Sequence, residues 1–226
     1  MQFSDERSSQ MIRPPQLIDA TGVVPLASVA TIPASLPRRS SGELRAIDWA
    51  QLDALLGTPD RLASLKASRI ADSVPDDTFE RFTNTLRDRL GVPVVLLSIV
   101  DADRQHFKSC IGLTGDAGSV RQTPSRQSMC KVVVVGEDNL VLDDARTHAD
   151  FAGHAAVAEL GVVAYAGVPV RDQDGRVLGS LCAIDVQPRR WTHFEVQLLE
   201  DFAAAVRVEL IIRRSASAKA SNVSVS

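Results

Sequence analysis

Two apolar runs, Tyr165–Val170 and Gly175–Asp185, are joined by Arg171-Asp-Gln-Asp174 and meet at an Asp174-Gly175 step. Glycine takes up the backbone twist of a tight antiparallel turn at little cost, so the stretch predicts a β-hairpin. Its residues are glycines, small side chains and aliphatics, without the grouped acids, bases or nucleophiles that catalysis requires. Such a hairpin suits a buried sheet or the wall of a ligand cavity.

Other segments supply strands for the same sheet. Val94–Val100 is apolar at every position but Ser98, the pattern of a central strand covered on both faces. After a turn at Asp101–Asp103, Arg104–Ile111 alternates, with His106, Lys108 and Cys110 on one face and Phe107, Ser109 and Ile111 on the other. Asn139–Asp143 is a further strand. Gly112–Thr123 reads as a glycine-bearing loop of functional length, but its glycines do not form a phosphate-binding signature. Ser125–Val135 fits a short helix carrying Met129, Val132 and Val133 inward, with a valine-rich strand as the alternative.

Helices bracket this middle. Trp49, Leu52, Leu55 and Leu56 share one side of a helix over Asp48–Leu56 that Gly57 ends. Thr58-Pro59 starts a second helix, edged by Leu62, Leu65 and Ile70. A third begins near Asp77, which has capping-box spacing to Glu80, and its stripe is Phe79, Phe82, Leu86 and Leu90. Thr147 and Asp150 have the same spacing before a helical turn through Phe151 and Val157. Thr192 and Glu195 cap a long last helix striped by Leu199, Phe202, Val206 and Leu210. The fold class is therefore α+β: a mainly antiparallel sheet with helices from both ends of the chain packed on one face. Residues 1–42, broken by prolines and rich in serine, read as a flexible arm, residues 43–214 as the domain, and residues 215–226 as a disordered polar tail.

Composition narrows the function. With 25 basic and 28 acidic residues among 226, the net charge is -3, and no basic run is long enough to follow a phosphate backbone, so nucleic acid is not an expected partner. No apolar stretch reaches membrane-spanning length and no secretory leader is read at the start, so the expected location is the cytoplasm and no membrane partner is expected. Cys110, Cys130 and Cys182 lack metal-binding spacing and read as buried thiols, as free cysteines usually are in reducing compartments.

In order and spacing, several segments resemble the GAF family of small ligand-sensing signalling domains: Phe79-Glu-Arg-Phe82, Ser98–Gln105, Asp143-Asp-Ala-Arg146, Phe151, Tyr165–Pro169, Asp174–Gly179 and Cys182-Ala-Ile-Asp185. The resemblance implies a GAF/PAS-like central antiparallel sheet of about six strands. It also implies N- and C-terminal helices on one face and, on the other, a pocket enclosed by Ser125–Lys131, Asp143–Phe151 and the start of the Tyr165 strand. Cys130 precedes Lys131 rather than the histidine of bilin-binding members, and Asn139-Leu140 departs from the Asn-Lys of cyclic-nucleotide binders. Phe151-Ala-Gly-His154 resembles a stretch of free methionine sulfoxide reductase, but alanines and Val157 follow where a reactive cysteine would be expected.

The expected function is thus a non-enzymatic small-molecule or redox-responsive sensor acting through its terminal helices. The alternatives are an interaction module with a collapsed pocket and a thiol-dependent redox enzyme. Candidate ligand-binding residues are Arg126, Met129, Cys130, Asp143, Phe151 and Tyr165, and no catalytic or metal-ligating residue is assigned. Cys130 reads as a reactive thiol or an inert buried one, depending on its pKa. Tyr165 reads as a ligand contact or as core, and Arg126 as an anion contact or a solvated charge. No cofactor is named by the sequence. Expected partners are a small-molecule ligand, a second copy of the chain joined through helix residues such as Ile211 and Ile212, and a separate signalling effector.

Overall fold

The structure, a computed structural model, describes residues 47–68, 70 and 76–223. The arm read over residues 1–42 lies outside the described residues. Helices α1 (Trp49–Leu56), α2 (Pro59–Ser68) and α3 (Asp77–Leu90) precede strands β1 (Val94–Val100) and β2 (Arg104–Ile111). Next come α4 (Gly115–Val120), β3 (Gln122–Pro124), a 3-10 turn at Ser125–Gln127, α5 (Cys130–Gly136) and β4 (Leu140–Leu142). A second 3-10 turn at Ala145–Thr147 leads to α6 (Ala155–Leu160), the hairpin strands β5 (Ala164–Arg171) and β6 (Val177–Asp185), and the long helix α7 (His193–Val223).

The strands form one six-stranded sheet in the order β3-β2-β1-β6-β5-β4, with antiparallel pairings throughout. The expected α+β class and hairpin are both present. Gly175 turns the hairpin at φ +85, a conformation that side-chain-bearing residues rarely adopt. The buried Asp172 carboxylate organises the turn by accepting from the backbone N–H groups of Asp174 and Arg176, each at 2.9 Å.

Because side chains alternate along a strand, β5 and β6 build two cores at once. On the back face, Ala164, Ala166, Val168, Leu181 and Ala183 pack with Phe79 and Leu86 of α3 and Leu199 and Val206 of α7. On the front face, Tyr165, Cys182 and Ile184 pack with Met129, Cys130 and Val133. The helix caps are local. Thr192 and Glu195 form the expected capping box, with Glu195 accepting from the Thr192 N–H at 2.8 Å and Thr192 from the Glu195 N–H at 3.3 Å.

Five local expectations need correction. First, α3 is capped by Asp76, whose carboxylate accepts from the Thr78 N–H at 2.8 Å, so Glu80 is left to pair with Arg121 at 2.7 Å. Second, the Thr147–Asp150 spacing caps no helix. Asp144 caps the 3-10 turn, His154 caps α6, and Asp150 instead accepts from the Ile47 N–H at 3.1 Å. Third, Gly112–Thr123 is not a bare loop, since it holds α4 and part of β3. Fourth, a bulge in the β1–β2 pairing skips Lys108, which puts Phe107 and Cys110 on the same face and breaks the expected alternation. Fifth, residues 215–223, read as tail, lie in the last turns of α7.

Helix α1 also departs from expectation. Instead of joining α3 and α7 on the back face, it lies against α5 on the front, where Leu52 and Leu56 enter the core of Met129, Val133 and Tyr165.

Candidate functional site

The front face is built from the sheet outward. Tyr165 points from β5 into the core and is 1% exposed. Its ring lies forward along the strand over Gly167, where a Cβ would stand 2.4 Å from the Tyr165 hydroxyl oxygen, so only glycine leaves room. The hydroxyl donates to Cys130 Sγ at 3.3 Å, and Cys130 Sγ stands 3.8 Å from Cys182 Sγ on β6. Hydrogen bonds from Cys182 and from the Tyr165 hydroxyl, working against burial, hold the Cys130 thiol below its ordinary value, at about 7. Its partner Cys182 is pushed well up by that same hydrogen bond and by burial, and burial raises Tyr165 as well. Of the two thiols, Cys130 is therefore the one disposed to ionise.

Buried side-chain hydrogen bonds fasten the N-terminal end of α5 to the sheet. Gln105 Oε1 accepts from Ser98 Oγ at 3.0 Å and from Ser128 Oγ at 2.7 Å, while Gln105 Nε2 donates to Thr123 Oγ1 at 2.7 Å. The Lys131 N–H donates to Ser128 Oγ at 3.2 Å. A fully satisfied buried network of this kind fixes one arrangement of its elements.

A second group lies where α1 meets α5 and α6. The Trp49 ring meets Phe151 edge-on at 5.7 Å and lies 4.9 Å from the His154 ring at a tilt of 34°. Lys131 is 3% exposed on its side chain, and its ammonium pairs at 2.7 Å with Asp53, whose side chain is 51% exposed. The same ammonium sits 5.2 Å from the Trp49 ring centroid. His154 Nδ1 accepts from the Ala156 N–H at 3.1 Å, so Nε2 carries the proton in the neutral ring, yet this buried atom has no hydrogen-bond partner among the described residues. Burial, then the nearby Lys131 charge, lowers the His154 pKa to about 4.

Of the six candidates, Met129, Cys130, Phe151 and Tyr165 meet in the front-face core. Arg126 and Asp143 do not join them. Arg126 lies at the surface and pairs with Glu159 at 2.5 Å, tying the Ser125–Gln127 turn to α6. Asp143 is exposed at the end of β4, where its carboxylate accepts from the Trp191 N–H at 3.0 Å and its carbonyl from the Arg189 N–H at 2.9 Å. An open cleft of about 290 Å³ lies elsewhere, lined among others by Leu55, Arg61, Ser64, Glu137 and Arg176. Sequence reasoning did not connect Trp49, Lys131 and His154. The signal available for them was the polar tip of each in an otherwise apolar segment.

Residues 74–210 match the sequence profile of the GAF domain. The chain belongs to the GAF family. It is 34% identical over 142 residues to a cyclic di-GMP phosphodiesterase of Pseudomonas aeruginosa, a match covering 62% of this chain and 23% of that protein. The GAF chain thus spans under a quarter of that relative. Among solved structures it resembles the GAF domain of a phosphoenolpyruvate-protein phosphotransferase from Coxiella burnetii (16% identity, TM-score 0.53, covering 74% of this chain and 98% of that one). It also resembles a free methionine-R-sulfoxide reductase from Neisseria meningitidis in complex with its substrate (17% identity, TM-score 0.52, covering 71% and 96%). At these identities the likeness is one of fold. No helix among the described residues is long and apolar enough to cross a membrane.

Proposed function

We propose that this GAF chain is a non-enzymatic sensor of the cytoplasm that converts a change on its front face into a change in α3 and α7. The observation that carries this reading is that β5 and β6 belong to both cores. Tyr165 and Cys182 face the front, while their neighbours Ala164, Ala166, Leu181 and Ala183 bear directly on the back-face helices. A ligand that prefers one packing of the front face shifts the helices only by its difference in affinity for the two packings. Val208 and Ile212 stay exposed on α7 four residues apart and offer a seam for a second copy of the chain. By likeness to the Pseudomonas relative, the effector class it serves is a cyclic di-GMP phosphodiesterase.

The test is hydrogen exchange of α7 in the presence of compounds that bind the chain, paired with light scattering. Ligand-dependent protection in α7 together with a dimer supports the reading. A bound compound that leaves α7 exchange untouched overturns it, and a monomer at high concentration removes the proposed pairing.

The 3.8 Å separation of the Cys130 and Cys182 sulfurs favours a second, redox reading. A Cys130 thiolate attacks a hydroperoxide, breaking its O–O bond to give a sulfenic acid and, with one proton, water or alcohol. The Cys182 thiol then displaces water from that sulfur and forms a disulfide between α5 and β6. Mass spectrometry after peroxide treatment should show the loss of two hydrogens, absent in Cys182→Ser. Persistence of both thiols in unfolding-free conditions would overturn it.

A further inference from the structure

Helix α1 lies outside the segment that matches the GAF profile, which begins at residue 74, yet it is seated on the front face of that domain. Eight residues are too few for a helix to persist alone in water, so α1 is helical because its seat holds it. What the seat receives is chemically specific. It takes one flat aromatic ring, that of Trp49, near-perpendicular to Phe151 at 5.7 Å and tilted 34° against His154 at 4.9 Å, where those two rings themselves meet at 6.2 Å. It takes one carboxylate, that of Asp53, on the buried Lys131 ammonium. It leaves one requirement unmet, because the buried Nε2 of His154 finds no acceptor from α1 or from any other of the described residues.

We propose that the seat of α1 is a binding site for a small aromatic anion, and that α1 occupies it in cis until such a ligand displaces Trp49 and Asp53. The inference rests on the sensor reading above and names the ligand class and the gate for its front face. A ligand combining a ring, an anionic group and an acceptor for His154 would satisfy everything α1 satisfies and the one donor that α1 leaves bare. That difference is what lets it compete, since an unmet buried donor costs free energy that a meeting ligand recovers. Asp53 is half exposed while Lys131 is not, so the carboxylate can leave to water whereas the ammonium needs a replacement anion. Loss of the Trp49 ring also uncovers Phe151 and His154, so the ligand must bring its own ring to the site.

The test is calorimetric titration of the full chain with indole-3-acetate, with indole and acetate as single-feature controls, together with hydrogen exchange over residues 49–56. Trp49→Ala weakens the competing helix and should raise the affinity for indole-3-acetate about tenfold, a change of about 1.4 kcal/mol. Neither control should bind comparably. Lys131→Met in the Trp49→Ala background should abolish binding, and His154→Phe should weaken it. Circular dichroism establishes that each variant is folded before titration. On saturation the amides of residues 49–56 should exchange faster. A folded Trp49→Ala chain that gives no saturable binding overturns the proposal, as does binding that leaves exchange at residues 49–56 unchanged. Binding that frees α1 but leaves α7 exchange unaltered supports the ligand site while overturning the sensor reading, so the two fail separately.

Discussion

The two faces of the sheet are covered by different chemistry, although the same strands supply both. The back face is sealed mainly by aliphatic and aromatic packing between the strands, α3 and α7, with Phe82 and Phe202 meeting edge-on at 6.3 Å and one buried hydroxyl pair, Thr83 with Ser109, bonded to each other. Its charged pairs stand at the rim, where Arg213 grips Asp76 at 2.5 Å and holds that carboxyl far below its usual range. The front face buries a tyrosine hydroxyl, two thiols, an ammonium, an imidazole and a glutamine amide among its apolar side chains. Aliphatic contacts are non-directional and depend mainly on area, whereas a buried polar group depends on partners in particular places. The back can therefore pass on a displacement, but the front is where a proton, an oxidant or a ligand can cause one.

The largest expected effect tests the back face. Phe79→Ala removes a side chain that is 1% exposed in that core and should lower the unfolding free energy by about 3–5 kcal/mol in urea titrations. If the back face is as apolar as described, that loss should be the same at pH 7 and pH 5. A loss that varied strongly with pH would break the contrast between the faces.

The front face should respond to pH through His154. Folded, its imidazole takes a proton only near pH 4, while the unfolded chain takes it near the ordinary value of 6.5. Between those values the unfolded state binds the extra proton, so stability is complete above pH 6.5 and falls as pH drops toward 4. The full difference is about 3 kcal/mol. Stability measured across that window should lose this slope in His154→Phe, and a slope that survives the substitution would place its source elsewhere.

A smaller effect is expected from Gly167→Ala, because the new methyl would meet the Tyr165 ring and hydroxyl rather than open space. Overpacking of this kind costs about 1–3 kcal/mol. Combining it with Tyr165→Leu should cost less than the sum of the two single changes, as contacting residues do not add. Additivity would mean that the ring does not lie over Gly167. The smallest effect belongs to Arg126→Ala, where an exposed ion pair with Glu159 is lost and the unfolding midpoint should not move measurably.

Much of the fold was legible because its signals are local. The uniform apolar run of β1, the Asp174-Gly175 turn and the Thr192–Glu195 capping box depend on residues within a few positions of one another. Spacing alone misplaced two caps. Asp77 has box spacing to Glu80, yet Asp76 caps the helix and Glu80 is engaged by Arg121 from across the domain. Thr147 and Asp150 had the right spacing too, but Asp150 is engaged by the Ile47 N–H, a residue 103 positions away. The site was legible only in part. Cys130, Phe151 and Tyr165 stood out as reactive or aromatic groups in apolar segments, whereas Arg126 and Asp143 had the right chemistry without the right position.

By itself the sequence determined five of the six strands, the turn that joins β5 to β6 and the α+β class, since hydrophobic period and turn chemistry act over a few residues. Tertiary structure alone decided that α1 crosses to the front face. It also decided that Tyr165 and Cys182 converge on Cys130 from 35 and 52 positions away. Those meetings depend on the register of β5 against β6 and on the room left by Gly167, and no local pattern encodes the sum of such displacements.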